Sequence, residues 1–225
     1  TGTENVGVGT FAIFNNATGN FNTAIGSAAL NGASGANFSN NVAIGTLSLL
    51  NTETSSQTAV GYHALRYNTT GTGNLAVGYE SLLNNTTAAG NLAIGDGALK
   101  AVTTVGNQLA IGYRALTAST TGTQNLAIGP SALTANTTGS RNTAVGANTL
   151  LVNTAGNSNT ALGSGALQNT TGSDNIAIGQ AALFANTTGS NNISIGSGAL
   201  GANTTASNNV AIGAHPSYQD RENFG

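Results

Sequence analysis

Asn91-Leu92-Ala93-Ile94-Gly95, followed by Ala98-Leu99, recurs along the chain in near copies. The copies end at Gly9, Gly26, Gly45, Gly61, Gly78, Gly95, Gly112, Gly129, Gly146, Gly163, Gly179, Gly196 and Gly213. Nine of the twelve spacings are 17 residues. A short fixed period predicts a solenoid, because one such unit cannot bury its apolar face alone and must stack on the next.

Aligned on the glycine, the copies resolve into columns. Four residues before it stand eleven Asn and two Gln, Gln57 and Gln108. Two before it the residue is small, Ala in eleven copies, with Gly7 and Ser194 as the others. The residue immediately before it is always Val, Ile or Leu, a β-strand preference. A small residue returns three positions after the glycine and Leu four after it, in eleven copies. Alternation along a strand puts the Asn and small columns on one face and the aliphatic column on the other. The expectation is two short strands per coil separated by a glycine bend, with Ile and Leu supplying what is buried. A helical repeat is the weaker reading, since Gly and the Asn-Thr-Thr-Gly segments leave no uninterrupted helix-length run.

Those segments, such as Asn68-Thr69-Thr70-Gly71 and Asn136-Thr137-Thr138-Gly139, predict sharp corners, because Asn and Gly tolerate left-handed backbone. Stacked in register, their Asn side chains can hydrogen-bond from coil to coil. The irregular spacings, 19 residues into Gly45 and 16 into Gly61 and Gly179, belong in the corners. The pattern breaks at His215-Pro216-Ser217, which divides the chain into a β-roll over 1–214 and a terminal cap or junction over 215–225.

Only 5% of the 225 residues are charged, and the net charge is −2 with five Lys plus Arg. No basic stripe exists to neutralise phosphates, which argues against nucleic acid and against polybasic attachment to a membrane surface. No apolar run is long enough to cross a bilayer, and Thr1-Gly2-Thr3-Glu4-Asn5 does not read as a signal peptide. The expectation is a fragment of something longer. There is no Cys, so disulfides and Cys-type metal sites are excluded. Recurrent Ile, Val and Leu in fixed columns argue against a disordered low-complexity chain.

The column three before the glycine is apolar or Thr: Leu75, Leu92, Leu109 and Leu126 against Thr23, Thr58 and Thr143. One narrow roll cannot enclose every apolar column. A contiguous apolar stripe is therefore expected on an isolated chain, and with it a homo-oligomer of parallel chains.

Asn22-Thr23-Ala24-Ile25-Gly26, Asn41-Val42-Ala43-Ile44-Gly45 and Asn209-Val210-Ala211-Ile212-Gly213, each followed by a small residue three positions on in the regular copies, resemble the head repeats of YadA-like trimeric autotransporter adhesins. The resemblance covers residues 5–214. It implies a left-handed parallel β-roll and a homotrimer, each chain partnered by two further copies of itself. It also implies a non-enzymatic, extracellular attachment fibre on a bacterial surface. The 17-residue unit departs from the usual shorter repeat and is similar to that of bacteriophage tail fibres, so a virion fibre segment is the alternative.

No catalytic, cofactor or metal constellation stands out. His63 and His215, the only histidines, fall in a variable corner column. The strongest binding candidate is a tyrosine stripe. Tyr62, Tyr79 and Tyr113 follow the glycine in three of four neighbouring coils, with His63, Glu80 and Arg114 beside them and Arg66 and Tyr67 a few residues on. Such a stripe suits a surface glycan or a protein receptor; ladder stacking without a ligand is its plain structural explanation. Thr pairs from Thr69-Thr70 to Thr204-Thr205 raise a third reading, an ice-ordering array. Only one Thr of each pair can face the same way, so corner chemistry is the stronger account.

Overall fold

The computed structural model describes residues 2–213. The cap or junction expected over 215–225, with His215 and Pro216, lies outside the described residues. Among the described residues the regular structure is thirteen three-residue β-strands, from β1 (Val6–Val8) through β6 (Leu92–Ile94) and β7 (Leu109–Ile111) to β13 (Val210–Ile212). They form one parallel sheet in strict sequence order. The chain is thus a parallel β-solenoid of about twelve turns.

Register is unbroken. Leu92 pairs with Leu109, Ala93 with Ala110 and Ile94 with Ile111. The 19-residue coil keeps Thr23 opposite Val42, and the 16-residue coils keep Val42 opposite Thr58 and Thr160 opposite Ile176. Length variation is absorbed in the corners, as expected. In the longest coil Phe38 turns fully inward. Its ring fills the space left at Gly32, where a Cβ would press into it.

The second expected strand is absent. Between Gly95 and Val102 the backbone runs as linked turns, and Leu99 sits at φ 51°. Its counterpart Leu116 shares that angle. Left-handed backbone costs a non-glycine residue about 1–2 kcal/mol, comparable to what burying Leu returns, roughly 1.5–3 kcal/mol. The turns also keep the N–H groups paired. Ala98, Lys100 and Val102 donate within the coil to the carbonyls of Gly95, Gly97 and Leu99, each at 3.3 Å. Alternating with them, Gly97 donates to Tyr79 at 2.9 Å, Leu99 to Ala115 at 3.1 Å and Ala101 to Thr117 at 3.0 Å, in neighbouring coils. A strand ladder is not needed to satisfy this half of the coil.

The strand also buries the face opposite to the one expected, the Asn and small columns inside and the aliphatic column before the glycine outside. Ala93, Ala98 and Leu99 are fully enclosed, with Asn91 beside them, and their counterparts repeat this through the stack. Ile94 is not enclosed; it shares the outer sheet face with Leu92, both half-buried around the buried Ala93. The interior is too narrow for a β-branched side chain from the strand, so it takes the small column from the strand and the Leu from the turns. Along the outside, the two aliphatic columns make the expected apolar stripe, with Ile25 and Ile178 at 42% and 37% exposure.

The internal Asn column satisfies the narrow core's backbone. The Asn142 Oδ1 accepts the N–H of Asn159 at 3.0 Å, and its Nδ2 donates to the Gly156 carbonyl at 2.8 Å. Asn125 and Asn175 do the same one coil before and two coils after, Asn125 through the N–H of Asn142 and the Gly139 carbonyl. A shorter or apolar side chain would leave buried polar groups without partners. The strand-end glycine is fixed for two reasons. Gly78 has φ 133°, and a Cβ there would lie 2.6 Å from the Gly95 carbonyl carbon.

Candidate ligand-binding face

The residue after each strand-end glycine emerges from the sheet at the first corner, and the next residue takes left-handed backbone. His63, Glu80 and Arg114 have φ of 60°, 51° and 55°. Because parallel register puts equivalent residues about 4.8 Å apart, neighbours in these two columns are brought into contact.

The Tyr62 and Tyr79 rings stack with centroids 5.6 Å apart and planes 9° from parallel. His63 lies against Tyr62 at 3.7 Å between centroids. The guanidinium of Arg66 sits 5.0 Å from the Tyr67 ring and approaches the His63 Nε2 at 3.4 Å. That of Arg114 lies 5.7 Å from the Tyr113 ring. The tyrosine stripe is therefore two groups. Tyr62, His63, Arg66, Tyr67, Tyr79 and Glu80 occupy adjoining coils. Tyr113 and Arg114 stand apart from them, beyond the coil that carries Asp96 and Gly97.

Between the groups is a groove of about 430 Å³ with Tyr79 and Glu80 on one side and Tyr113 and Arg114 on the other. Lys100 reaches across to the Glu80 carboxylate at 2.5 Å. Asp96, Gly97 and Lys100 lie outside the sequence-derived set. Lys100 follows Glu80 by 20 residues, one period plus three, and that spacing is the signal that pairs them.

Electrostatics follow from these contacts. The hydrogen bond from Lys100 holds the Glu80 carboxyl below its ordinary range. The hydrogen bond shared with Glu80 holds the Tyr79 phenol above its own. Partial burial, then the Arg66 charge, lowers the His63 imidazole, with Glu80 opposing. No nucleophile, base and orienting group converge here. Among the described residues no cluster of three or more His, Asp or Glu is placed to hold a metal ion.

The Thr pairs serve the corners. Thr69, Thr86, Thr137 and Thr187 donate their hydroxyls to the carbonyls of Thr86, Thr103, Thr154 and Thr204 at 2.9–3.1 Å. The corner Asn side chains do likewise; Asn68 donates to the Gly71 carbonyl at 2.9 Å, and Asn85 to the Asn68 Oδ1 at 2.8 Å.

Comparison with protein-family models, with curated proteins and with solved structures gives no match.

Proposed function

We propose that this chain is a non-enzymatic segment of an extracellular attachment fibre, the head of a trimeric adhesin, in which three copies run parallel with their outer sheet faces together. The observation that carries the reading is the outer face itself. Aliphatic residues at its two columns, interrupted by Thr in one of them, continue along all thirteen strands. At about 4.8 Å per strand, the stripe is on the order of 60 Å long. Soluble monomers rarely leave contiguous apolar patches beyond a few hundred Å² uncovered.

The apolar stripe is self-complementary in a way that suits identical chains. Each strand offers the same pair of columns at the same rise, so parallel copies meet in register along their whole length. The variable corner columns, including the tyrosines, are then the places where surface recognition can differ from coil to coil. A glycan or protein on the target surface is the ligand class that aromatic and polar side chains of this kind recognise.

Light scattering on the purified chain tests assembly. A mass three times that of one chain supports the reading, and a monodisperse monomer at micromolar concentration overturns it.

A further inference from the structure

We propose that the gap in the tyrosine column is a binding slot for one neutral hexopyranose ring, held between Tyr79 and Tyr113 over the Asp96-Gly97 coil. The proposal rests on the fibre reading for its biological setting only; the slot stands on its own geometry.

The first observation is an omission that the backbone does not require. Gly97 has φ 64°, the conformation in which its counterparts carry full side chains, Glu80 at 51° and Arg114 at 55°. A Cβ on Gly97 would meet nothing nearer than the Arg114 Cγ at 3.8 Å. Unlike the strand-end glycines, it is not demanded by close approach. In the same coil Asp96 replaces the tyrosine found on both sides. The coil is thus stripped of its two large side chains between coils that carry them.

The second observation is the width and character of what remains. Tyr79 and Tyr113 are two coils apart, about 9.6 Å along the stack. Two successive ring contacts at the short end of the usual range of about 4.5–7 Å between centroids fill that span, so one ring fits between them and two do not. Both tyrosines are about half exposed, at 49% and 53%. Tyr79 already stacks on Tyr62 through its other side, which holds its ring upright.

The third is the polar lining. The Asp96 carboxylate and the Arg114 guanidinium make no side-chain hydrogen bond among the described residues, whereas Glu80 and Lys100 are paired with each other. One free acceptor and one free donor match the vicinal hydroxyls of a sugar, each of which both donates and accepts. Opposite charges balance across the groove, which favours a neutral ring over an acidic one. The C–H faces of a pyranose meet the tyrosines, and its hydroxyl edge meets Asp96 and Arg114.

The test is saturation-transfer NMR on the whole chain with three separate probes, the methyl glycosides of glucose, galactose and mannose, at millimolar concentration. Transfer to the ring protons of at least one is expected. Asp96→Tyr continues the existing column and fills the slot, and Gly97→Glu fills it as Glu80 does; each should abolish transfer, Asp96→Tyr with the melting temperature unchanged and Gly97→Glu with the fold retained at a cost of a few degrees. Tyr113→Ala should weaken binding at least tenfold, and Phe184→Ala, an exposed ring four coils away from the slot, should not. No transfer from any of the three probes, or transfer that persists in Asp96→Tyr, overturns the proposal. Oligomeric mass measured on the same sample separates the readings. A trimer that binds no sugar refutes the slot alone, and a monomer that binds refutes the assembly alone.

Discussion

Val102 occupies the column position at which Asn85, one coil earlier, would meet an amide donor, and the buried Asn85 Oδ1 has no hydrogen-bond partner. Where Asn follows Asn in this column the donor is present. Asn85 itself donates to Asn68, and Asn203 donates to Asn186 at 3.1 Å.

Val102→Asn should therefore stabilise the protein. The new amide reaches the Asn85 Oδ1 and restores the ladder, a net gain of about 1 kcal/mol. Thermal unfolding followed by circular dichroism reads it. A lower melting temperature would show that the apolar contacts of Val102 outweigh the orphaned oxygen.

Leu99 and Ile94 should separate folding from assembly. Leu99→Ala removes a fully enclosed side chain and is expected to cost about 2–5 kcal/mol. Ile94→Asp puts a charge on the half-buried outer face and is expected to shift the protein toward monomer while the far-ultraviolet spectrum remains that of the parent. Loss of β-signal in Ile94→Asp with no loss in Leu99→Ala would reverse the two faces.

Two glycine substitutions should differ sharply. Gly78→Ala meets a backbone carbonyl at 2.6 Å and takes a conformation that L-residues avoid, so a cost above about 3 kcal/mol or loss of expression is expected. Gly97→Ala has room and an ordinary left-handed angle, with an expected cost of about 1 kcal/mol. Denaturant unfolding of the pair measures the difference, and equal costs would contradict the packing described.

His63 should titrate below its ordinary range. Because the folded state disfavours its protonated form, the stability this provides is present above the unfolded-state value and is lost as pH falls through the folded one. Proton NMR of the imidazole gives the midpoint, with His63→Asn identifying the signal. Glu80→Gln removes the opposing charge and should lower the midpoint further. A midpoint at or above the free imidazole value would rule out the burial beside Tyr62 and Arg66.

Strand positions were legible because each copy carries the same glycine at the same place, and parallel pairing follows once a 17-residue unit must stack. The strand Asn residues were legible as a column for the same reason, but coil-to-coil hydrogen bonds were expected only of the corner Asn, and it is stacking that places the Asn142 column inside. The inner and outer faces were only half so. Alternation separates Ala93 from Ile94, but hydrophobicity alone favours burying the larger residue; the narrowness of the coil decides otherwise. The missing second strand could not be read from Ala98-Leu99, since nothing in Leu indicates left-handed backbone. The bonds to neighbouring coils that sustain it exist only after stacking. The tyrosine cluster was visible as a column, whereas its interruption at Asp96 gains meaning only when the flanking rings are seen to face the same space.

Each strand bonds only to the one before and the one after it, and successive coils are also joined through the chain itself. Under tension along its length, a coil can peel from the end without breaking those behind it. An extended 17-residue unit reaches about 58 Å, against the 4.8 Å or so it occupies when stacked. Each released coil would thus lengthen the chain roughly twelvefold over its stacked rise. In the fibre we propose, such a chain would yield to a pull in discrete steps and dissipate it, and a single anchored contact would be spared the full force.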